Sequence, residues 1–436
     1  MKPIRVALLG FGVVGSGTWK VLTRNQSEIV RRAGRAIEIV AIADLDVDKV
    51  RAATDNAVEV SGDAMATVTR PDVDVVIELI GGYTIAKKFV MAAIEAGKHV
   101  VTANKALLAT HGNEIFAAAR EKGVMVAFEA AVAGGIPVIK AVREGLTANR
   151  IEWIAGIING TSNFILSEMR SKGLSFNDVL RQAQALGYAE ADPTFDIEGV
   201  DAAHKLTILS SLAFGTPLQF EKAYVEGISK LEQADIRYAE ELGYRLKLLG
   251  ITRRTASGIE LRVHPTLIPS KRLIANVEGV MNAVLVKGDA VGATLYYGAG
   301  AGSEPTASAV VADLVDIARL HSADPKNRVP YSAFQADQVE DLPMLPMEDV
   351  RTAFYLRMRV ADRPGVLADI TRILAEGSIS IGAMIQKEPG EGEAQADIVL
   401  LTHQCQEGDV RRAIRSIEAL DSVVSAVTRI RLEELG

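Results

Sequence analysis

Short apolar runs alternating with helix-length stretches fill residues 1 to about 135: IRVALLG, IEIVAIAD, VDVVIELIG, HVVTAN and VMVAFEAAV. Strands that are apolar on both faces belong in a parallel sheet covered by helices on each side. From about residue 136 the pattern changes, with helices predicted at 136–148, 176–187, 201–213 and 232–249 and strand-like runs IEWIAGIIN, GIELRVHPTLI and AVLVKGDA between and after them. These predict an α+β second domain with an open sheet over 136–300. The run YYGAGAGSEPTASAVVADLVDIARL is read as a glycine-rich turn feeding a helix, with 300–325 packing back on the first domain. Residues 326–349, rich in Pro, Asp and Ser, are read as a linker. Over 350–432 the order is strand, helix, strand, strand, helix, strand, the arrangement of a ferredoxin-like module.

The chain's 436 residues carry 48 Lys plus Arg against 55 Asp plus Glu, a net charge of −7 with no basic tail or stripe. That argues against a nucleic-acid partner. A single cysteine, Cys405, excludes an internal disulfide and a multi-thiolate metal site, and the six histidines lack metal-ligand spacing. No run approaches the roughly 18 apolar residues of a membrane span. The opening MKPIRVALLG has Arg5 within its apolar run and reads as a strand, not a signal peptide. A soluble, cytoplasmic protein is expected.

Gly10, Gly12 and Gly15 form GFGVVG, with Phe11, Val13 and Val14, directly after the first strand and before a helix. Glycines there permit a tight turn and close approach of a pyrophosphate to the helix N-terminus. This predicts a Rossmann-type dinucleotide-binding domain. Asp44 ends the second strand, where a carboxylate would bond the ribose hydroxyls of NAD and repel the 2′-phosphate of NADP. Its 29-residue separation from Gly15 implies an insertion around Asn25 to Arg35. Asp46 could take its role, and Lys49 or Arg51 could meet a phosphate, so NADP stays open. Ligands sit beyond the carboxyl ends of such strands. There the chain offers ELIGGYT, with Gly81, Gly82 and Thr84, and VVTANK, with Thr102, Asn104 and Lys105.

Between Ala183 and Lys205 stand Glu190, Asp192, Asp196 and Asp201. Asp201 and Lys205 are four apart, so a helix puts them on one face. An exposed pair of this kind contributes only about 0.3–0.5 kcal/mol, too little to explain such a concentration of charge. Such a concentration points to chemistry that a packed core would not ask for. A second lysine nearby would lower the lysine pKa from about 10.4 and Asp201 would oppose this, with burial deciding the outcome. GIINGTSNF, with Asn159, Thr161, Ser162 and Asn163, is either a set of uncharged groups for a small polar substrate or a helix cap and turn. FEAAVAGGIP, residues 128–137, is a bent strand with carbonyls aimed at a ligand, or a plain crossover.

GFGVVG, VVTANK, GIINGTSN and the spacing A-x3-G-Y-A-x2-D-P-x2-D-I-x-G-x-D-x3-K, in that order, closely resemble homoserine dehydrogenase over about residues 1–340. The segment 350–432 resembles an ACT domain, an amino-acid-binding regulatory module, through its Asp362-Arg363-Pro364-Gly365 turn before a helix. The resemblance implies an NAD(P)-dependent enzyme interconverting L-aspartate 4-semialdehyde and L-homoserine in threonine, methionine and isoleucine biosynthesis. It implies Lys205 as proton donor and acceptor, and Lys105 beside cofactor and substrate. Glu190 and Asp201 would hold homoserine, with Asp196 in support and Thr161 a further substrate contact. Gly187 and Gly302 would touch the cofactor. Glu129 with the backbones of Val132, Gly134 and Ile136 would form a Na+ or K+ site. A homodimer or homotetramer and a threonine effector are further implications, and removal of the tail after about residue 348 is expected to leave an active, threonine-insensitive enzyme. Two other readings are a dehydrogenase for another amino-acid semialdehyde and a non-catalytic amino-acid sensor.

Overall fold

A computed structural model describes residues 2–387 and 394–436. The chain divides into two compact units, Met1–Gly160 with Asp201–Ala223 and Val280–Leu342, and Thr161–Val200 with Tyr224–Gly279 and Pro343–Gly436.

The first unit holds a six-stranded parallel sheet of β1 (Ile4–Leu9), β2 (Ile37–Ala43), β3 (Glu59–Ser61), β4 (Val75–Glu78), β5 (His99–Thr102) and β6 (Val126–Ala127), in the spatial order β3-β2-β1-β4-β5-β6. Strand order reverses between β1 and β4, so their carboxyl ends open the crevice where such sheets bind ligands. The long spacing to Asp44 is explained by an added helix, Gln26–Ala33, which Gly34 ends in the left-handed conformation. Helix Ser303–Leu320 places Ala307, Val310, Leu314 and Ile317 in one core with Val6, Leu8 and Val21.

Two expectations fail in this unit. The helix predicted over 136–148 is one α-turn, Val138–Lys140, running into a π-helical turn, Ala141–Gly145. The residues YYGA at 296–299, read as the start of a glycine-rich turn, are instead the end of a strand, Gly292–Ala299, paired along its length with Met281–Gly288. Met281–Gly288 in turn pairs antiparallel with Ile151–Ile157. Cross-strand partners outweigh the weak strand preference of glycine.

In the second unit the predicted helix 232–249 stops at Glu241, and Tyr244–Arg254 is a strand. Gly243, at φ +84°, ends the helix. Leu246, Leu248, Leu249 and Ile251 suit either period, and antiparallel pairing with Ile259–Pro269 selects the strand. The C-terminal module consists of strands Arg351–Ala361, Ile381–Gln386, Gln395–Thr402 and Thr428–Leu432 with helices Val366–Glu376 and Glu407–Glu418. Its last strand pairs antiparallel with Arg351–Ala361 and also parallel with Ile259–Pro269, through Thr266 with Arg431 and Leu267 with Leu432. The module thus shares a sheet with the hairpin. Buried ion pairs line this seam: Arg262 with Glu260 (2.8 Å) and Glu433 (2.5 Å), Arg431 with Glu407 (2.5 Å) and Glu226 (2.9 Å), and Arg357 with Asp235 (2.6 Å). Among the described residues no helix is long and apolar enough to cross a membrane.

Candidate active site

The turn after β1 is shaped by contacts only glycine tolerates. Gly10 has φ +88°, and a Cβ there would lie 2.7 Å from the Leu79 carbonyl oxygen. A Cβ on Gly15 would lie 2.1 Å from the carbonyl oxygen of Gly10, so this glycine closes the turn against the helix. Nothing stands within 4 Å of a Cβ built on Gly12, the exposed face that a pyrophosphate would approach. No side chain caps helix Val13–Arg24, nor helix Ser303–Leu320, which starts at Gly302. The Ser303 hydroxyl donates to the Val13 carbonyl at 2.8 Å, so two helix N-termini, each with unmet N–H groups, converge beside the glycine turn.

Asp44 braces this turn. Its carboxylate accepts from the N–H of Phe11 at 2.6 Å and from that of Asp46 at 2.9 Å. Asp46 in turn caps helix Val47–Ala53. The ribose contact expected of Asp44 would use its remaining lone pairs.

At the ends of β4 and β5, Glu78 is fully buried and accepts from the Thr102 hydroxyl (2.7 Å) and from the N–H groups of Ile80 and Gly81. Burial pushes its carboxyl up, opposed by these hydrogen bonds. The Thr102 hydroxyl accepts from the N–H of Asn104, whose side chain donates to the Gly82 carbonyl and caps helix Lys105–Lys122 through the N–H of Leu107. The chain of bonds fixes the Gly81–Gly82 turn and sets Lys105 as the first residue of its helix. Thr102, expected at the cofactor, is itself buried with its hydroxyl directed to Glu78.

Helix Val200–Phe214 presents Asp201 and Lys205 one turn apart. Lys205 Nζ donates to Asp201 Oδ2 at 2.6 Å and to the Ile158 carbonyl at 2.8 Å. Asn159 Nδ2 donates to the same Asp201 oxygen at 2.8 Å, and Lys105 Nζ stands 3.4 Å from Asp201 Oδ1. Asp201 is only 5% exposed, Lys205 12% and Lys105 35%, so the two ammonium groups flank one buried carboxylate with Lys105 the wetter. Burial would raise Asp201, but the charges of Lys205 and Lys105 outweigh it and hold the group at about 2. His204 packs on Phe220, and burial lowers it to about 4, so its ring is neutral at pH 7. The constellation lies past the carboxyl end of β5, the strand that precedes Lys105.

The other acids fall in the second unit. Glu190 is exposed in the turn after helix Phe176–Ala185. Asp192 caps the turn at Thr194. The Asp196 carbonyl accepts from Ser162 at 3.0 Å, and the Thr161 hydroxyl donates to the Tyr188 carbonyl at 2.7 Å. Gly187, at φ +74°, is exposed in the same turn. In the first unit Glu129 is buried, with one carboxylate oxygen accepting from the N–H of Ile139 and the other from that of Lys140, both at 2.9 Å. Those donors fit a helix cap better than a side-chain cation ligand, leaving main-chain carbonyls near Val132, Gly134 and Ile136 as donors a cation could use. Among the described residues no group of three His, Cys, Asp or Glu could hold a metal ion.

Sequence reasoning left Asn159 between two roles, and missed Glu78 and the Ile158 carbonyl. A carboxylate closing an otherwise apolar strand was the available signal for Glu78. A backbone carbonyl leaves none.

Comparison with known proteins accounts for the whole chain. Residues 10–129 match the NAD-binding domain of homoserine dehydrogenase, 137–315 match the homoserine dehydrogenase family itself, and 354–422 match the ACT domain. A homoserine dehydrogenase of Pseudomonas aeruginosa is 63% identical over 436 residues, covering 100% of both chains. The chain belongs to the homoserine dehydrogenase family. The crystal structure of a homoserine dehydrogenase from Thiobacillus denitrificans superposes with a TM-score of 0.96 at 69% identity, covering 100% of this chain and 99% of that one. A hyperthermophilic archaeal homoserine dehydrogenase in complex with NADPH superposes at 0.63 with 25% identity, covering 74% and 99%. The protein is therefore an NAD(P)-dependent oxidoreductase acting on a CH–OH group, and the sensor reading falls.

Proposed function

We propose that this homoserine dehydrogenase interconverts L-aspartate 4-semialdehyde and L-homoserine with Lys205 as the proton carrier, in the biosynthesis of threonine, methionine and isoleucine. The observation that carries the reading is the Lys105–Asp201–Lys205 cluster past the end of β5. A bound nicotinamide supplies or accepts the hydride at the substrate's terminal carbon. In the reductive direction Lys205 gives a proton to the oxygen as negative charge develops there, and Lys105 stabilises that charge electrostatically. Asp201 and the Ile158 carbonyl aim the Lys205 ammonium, and Asn159 fixes Asp201. Glu190 and Asp196, with the Thr161 hydroxyl, are assigned to the substrate's ammonium end. Gly10 to Gly15, Gly81, Gly187 and Gly302 are assigned to the dinucleotide, while Thr102, buried against Glu78, supports the Gly81 turn from behind and does not touch the cofactor.

The negative charge of Asp44 favours NAD, while the NADPH complex of the archaeal relative supports NADP. A Na+ or K+ on main-chain carbonyls of 132–136, a homodimer or homotetramer, and threonine acting through the ACT domain complete the proposal. The test is kcat/KM for aspartate semialdehyde and for its one-carbon-longer homologue, each with NADPH and NADH, followed at the nicotinamide absorbance. Equal rates with the longer semialdehyde would overturn the substrate assignment.

A further inference from the structure

Glu78 is a fully buried carboxylate that stands outside the reacting groups. Acids are almost never buried to this degree without a cation beside them. The described partners of Glu78 are instead uncharged donors, the Thr102 hydroxyl and the N–H groups of Ile80 and Gly81.

Its two oxygens serve two parts of the site. Oε1 accepts from Ile80 at 2.9 Å and from Gly81 at 3.3 Å, which draws the turn after β4 inward. Gly81 and Gly82 follow one another at φ +82° and +67°, and nothing stands within 4 Å of a Cβ built on either, so the outer side of this turn is open where the dinucleotide is assigned. Oε2 accepts from the Thr102 hydroxyl at 2.7 Å, and that hydroxyl accepts from the Asn104 N–H at 3.0 Å. Asn104 reaches both ways: its Nδ2 donates to the Gly82 carbonyl at 2.5 Å, and its Oδ1 accepts from the Leu107 N–H at 3.0 Å, capping the helix whose first residue is Lys105.

Lys105 needs such a brace. A cation at the first position of a helix faces the positive end of the dipole, where acids are favoured. Its ammonium stands 3.4 Å from Asp201, against 2.6 Å for Lys205, so its own side-chain contact holds it less closely and the start of its helix must place it.

We propose that Glu78 is a positioning residue that ties the turn under the dinucleotide to the start of the Lys105 helix, so that one buried carboxylate both shapes the cofactor seat and sets the Lys105 ammonium beside the developing negative charge. The inference rests on the roles assigned above to Gly81 and Lys105. Three donors converge on Glu78, and only a carboxylate offers acceptors on both of its heavy atoms; an amide turns two N–H groups toward one of the branches.

The experiment is a double-mutant cycle on the full-length enzyme, with kcat read in the reduction of aspartate semialdehyde and the NADPH dissociation constant by fluorescence titration. Glu78→Gln is expected to lower kcat and to weaken NADPH binding, each on the order of tenfold. Thr102→Val cuts only the branch to Asn104, so kcat should fall on the order of tenfold while NADPH affinity stays within about twofold. Thr102→Ser keeps the hydroxyl and should restore kcat. In a Lys105→Met background no ammonium is left to place, and the kcat effect of Glu78→Gln and of Thr102→Val should shrink to within about twofold. The same kcat loss with and without Lys105 would make Glu78 a structural residue only and overturn the inference. Should Glu78→Gln fail to fold, the cycle of Thr102→Val with Lys105→Met decides alone. Wild-type turnover in Lys105→Met by itself would refute the role assigned to Lys105 and take this inference with it, a result distinct from additivity in the cycle.

Discussion

Lys205→Ala removes the ammonium that joins Asp201 to the Ile158 carbonyl, and two effects follow from the geometry. Loss of a positioned proton donor lowers kcat by about 10²–10⁴-fold. Breaking a buried ion pair by deleting one partner costs about 3–5 kcal/mol. Here Lys105 at 3.4 Å and Asn159 at 2.8 Å still face the carboxylate, so the loss belongs at or below the lower end of that range, about 2–3 kcal/mol. The pH dependence fixes the origin of the deficit. In the wild type Asp201 is depressed to about 2, so its contribution is present above its unfolded value and is lost as pH falls through 2. In the variant burial prevails, Asp201 rises, and protonation relieves the stranded charge, so the deficit is largest near pH 7 and narrows toward pH 4. Urea denaturation at pH 7 and at pH 4.5 reads this difference. Steady-state rates in both directions and fluorescence titration of NADPH separate chemistry from binding, with dinucleotide affinity expected to stay within a few-fold. Small primary amines should restore part of the rate by entering the space vacated. Removing Asp201 as well should cost less stability than Lys205→Ala alone, because no charge is then stranded. A folded variant with turnover within tenfold of wild type would refute the proton-carrier assignment.

Three further predictions follow from other parts of the molecule. Gly15→Ala puts a methyl 2.1 Å from the Gly10 carbonyl, so the turn must open and NADPH affinity should fall by at least a hundredfold; a titration giving wild-type affinity would show that the turn is not the pyrophosphate seat. Burial pushes both Glu129 and Asp313 up to about 7, so each favours the folded state below its unfolded pKa and loses that contribution as pH rises through 7. Asp313→Asn should therefore gain stability relative to wild type between pH 5 and pH 8.5, by on the order of 2–4 kcal/mol in denaturant titrations, and a pH-independent difference would contradict this. Truncation after residue 348, predicted from the sequence to leave an active enzyme, is expected from the structure to destabilise the second unit instead: it strips Arg262 of Glu433, leaving Glu260, and Asp235 of Arg357, each a buried ion left short of a partner at up to about 3–5 kcal/mol. A soluble, cooperatively unfolding and active truncated enzyme would refute that reasoning.

Local signals in the sequence carried the dinucleotide fold and the lysine helix well. GFGVVG, the extra length before Asp44 and the four-residue spacing of Asp201 and Lys205 are fixed by neighbours in sequence, and each has its expected counterpart: a tight turn, helix Gln26–Ala33 and a shared helical face. The errors arose where pairing with another segment decides. Tyr244–Arg254 has apolar positions that suit a helix, but Gly243 and the facing strand Ile259–Pro269 impose extension. GATLYYGA is rich in small residues and is a strand only because Met281–Gly288 lies alongside. The buried roles of Glu78 and of the Ile158 carbonyl were illegible for the same reason, since each depends on a group far away in the chain.

The C-terminal strand has a consequence for how the enzyme is made. Thr428–Leu432 lies against Ile259–Pro269, and Glu433 neutralises Arg262 from about 170 positions downstream, so a nascent chain on the ribosome holds an unmet hairpin edge, and Glu260 as the one carboxylate paired with Arg262 among the described residues, until residues 428–433 emerge. The dinucleotide sheet, complete by Ala127, can settle early during translation. The second unit closes late, and between the synthesis of Pro269 and that of Glu433 its exposed hairpin is a natural client for a holdase chaperone.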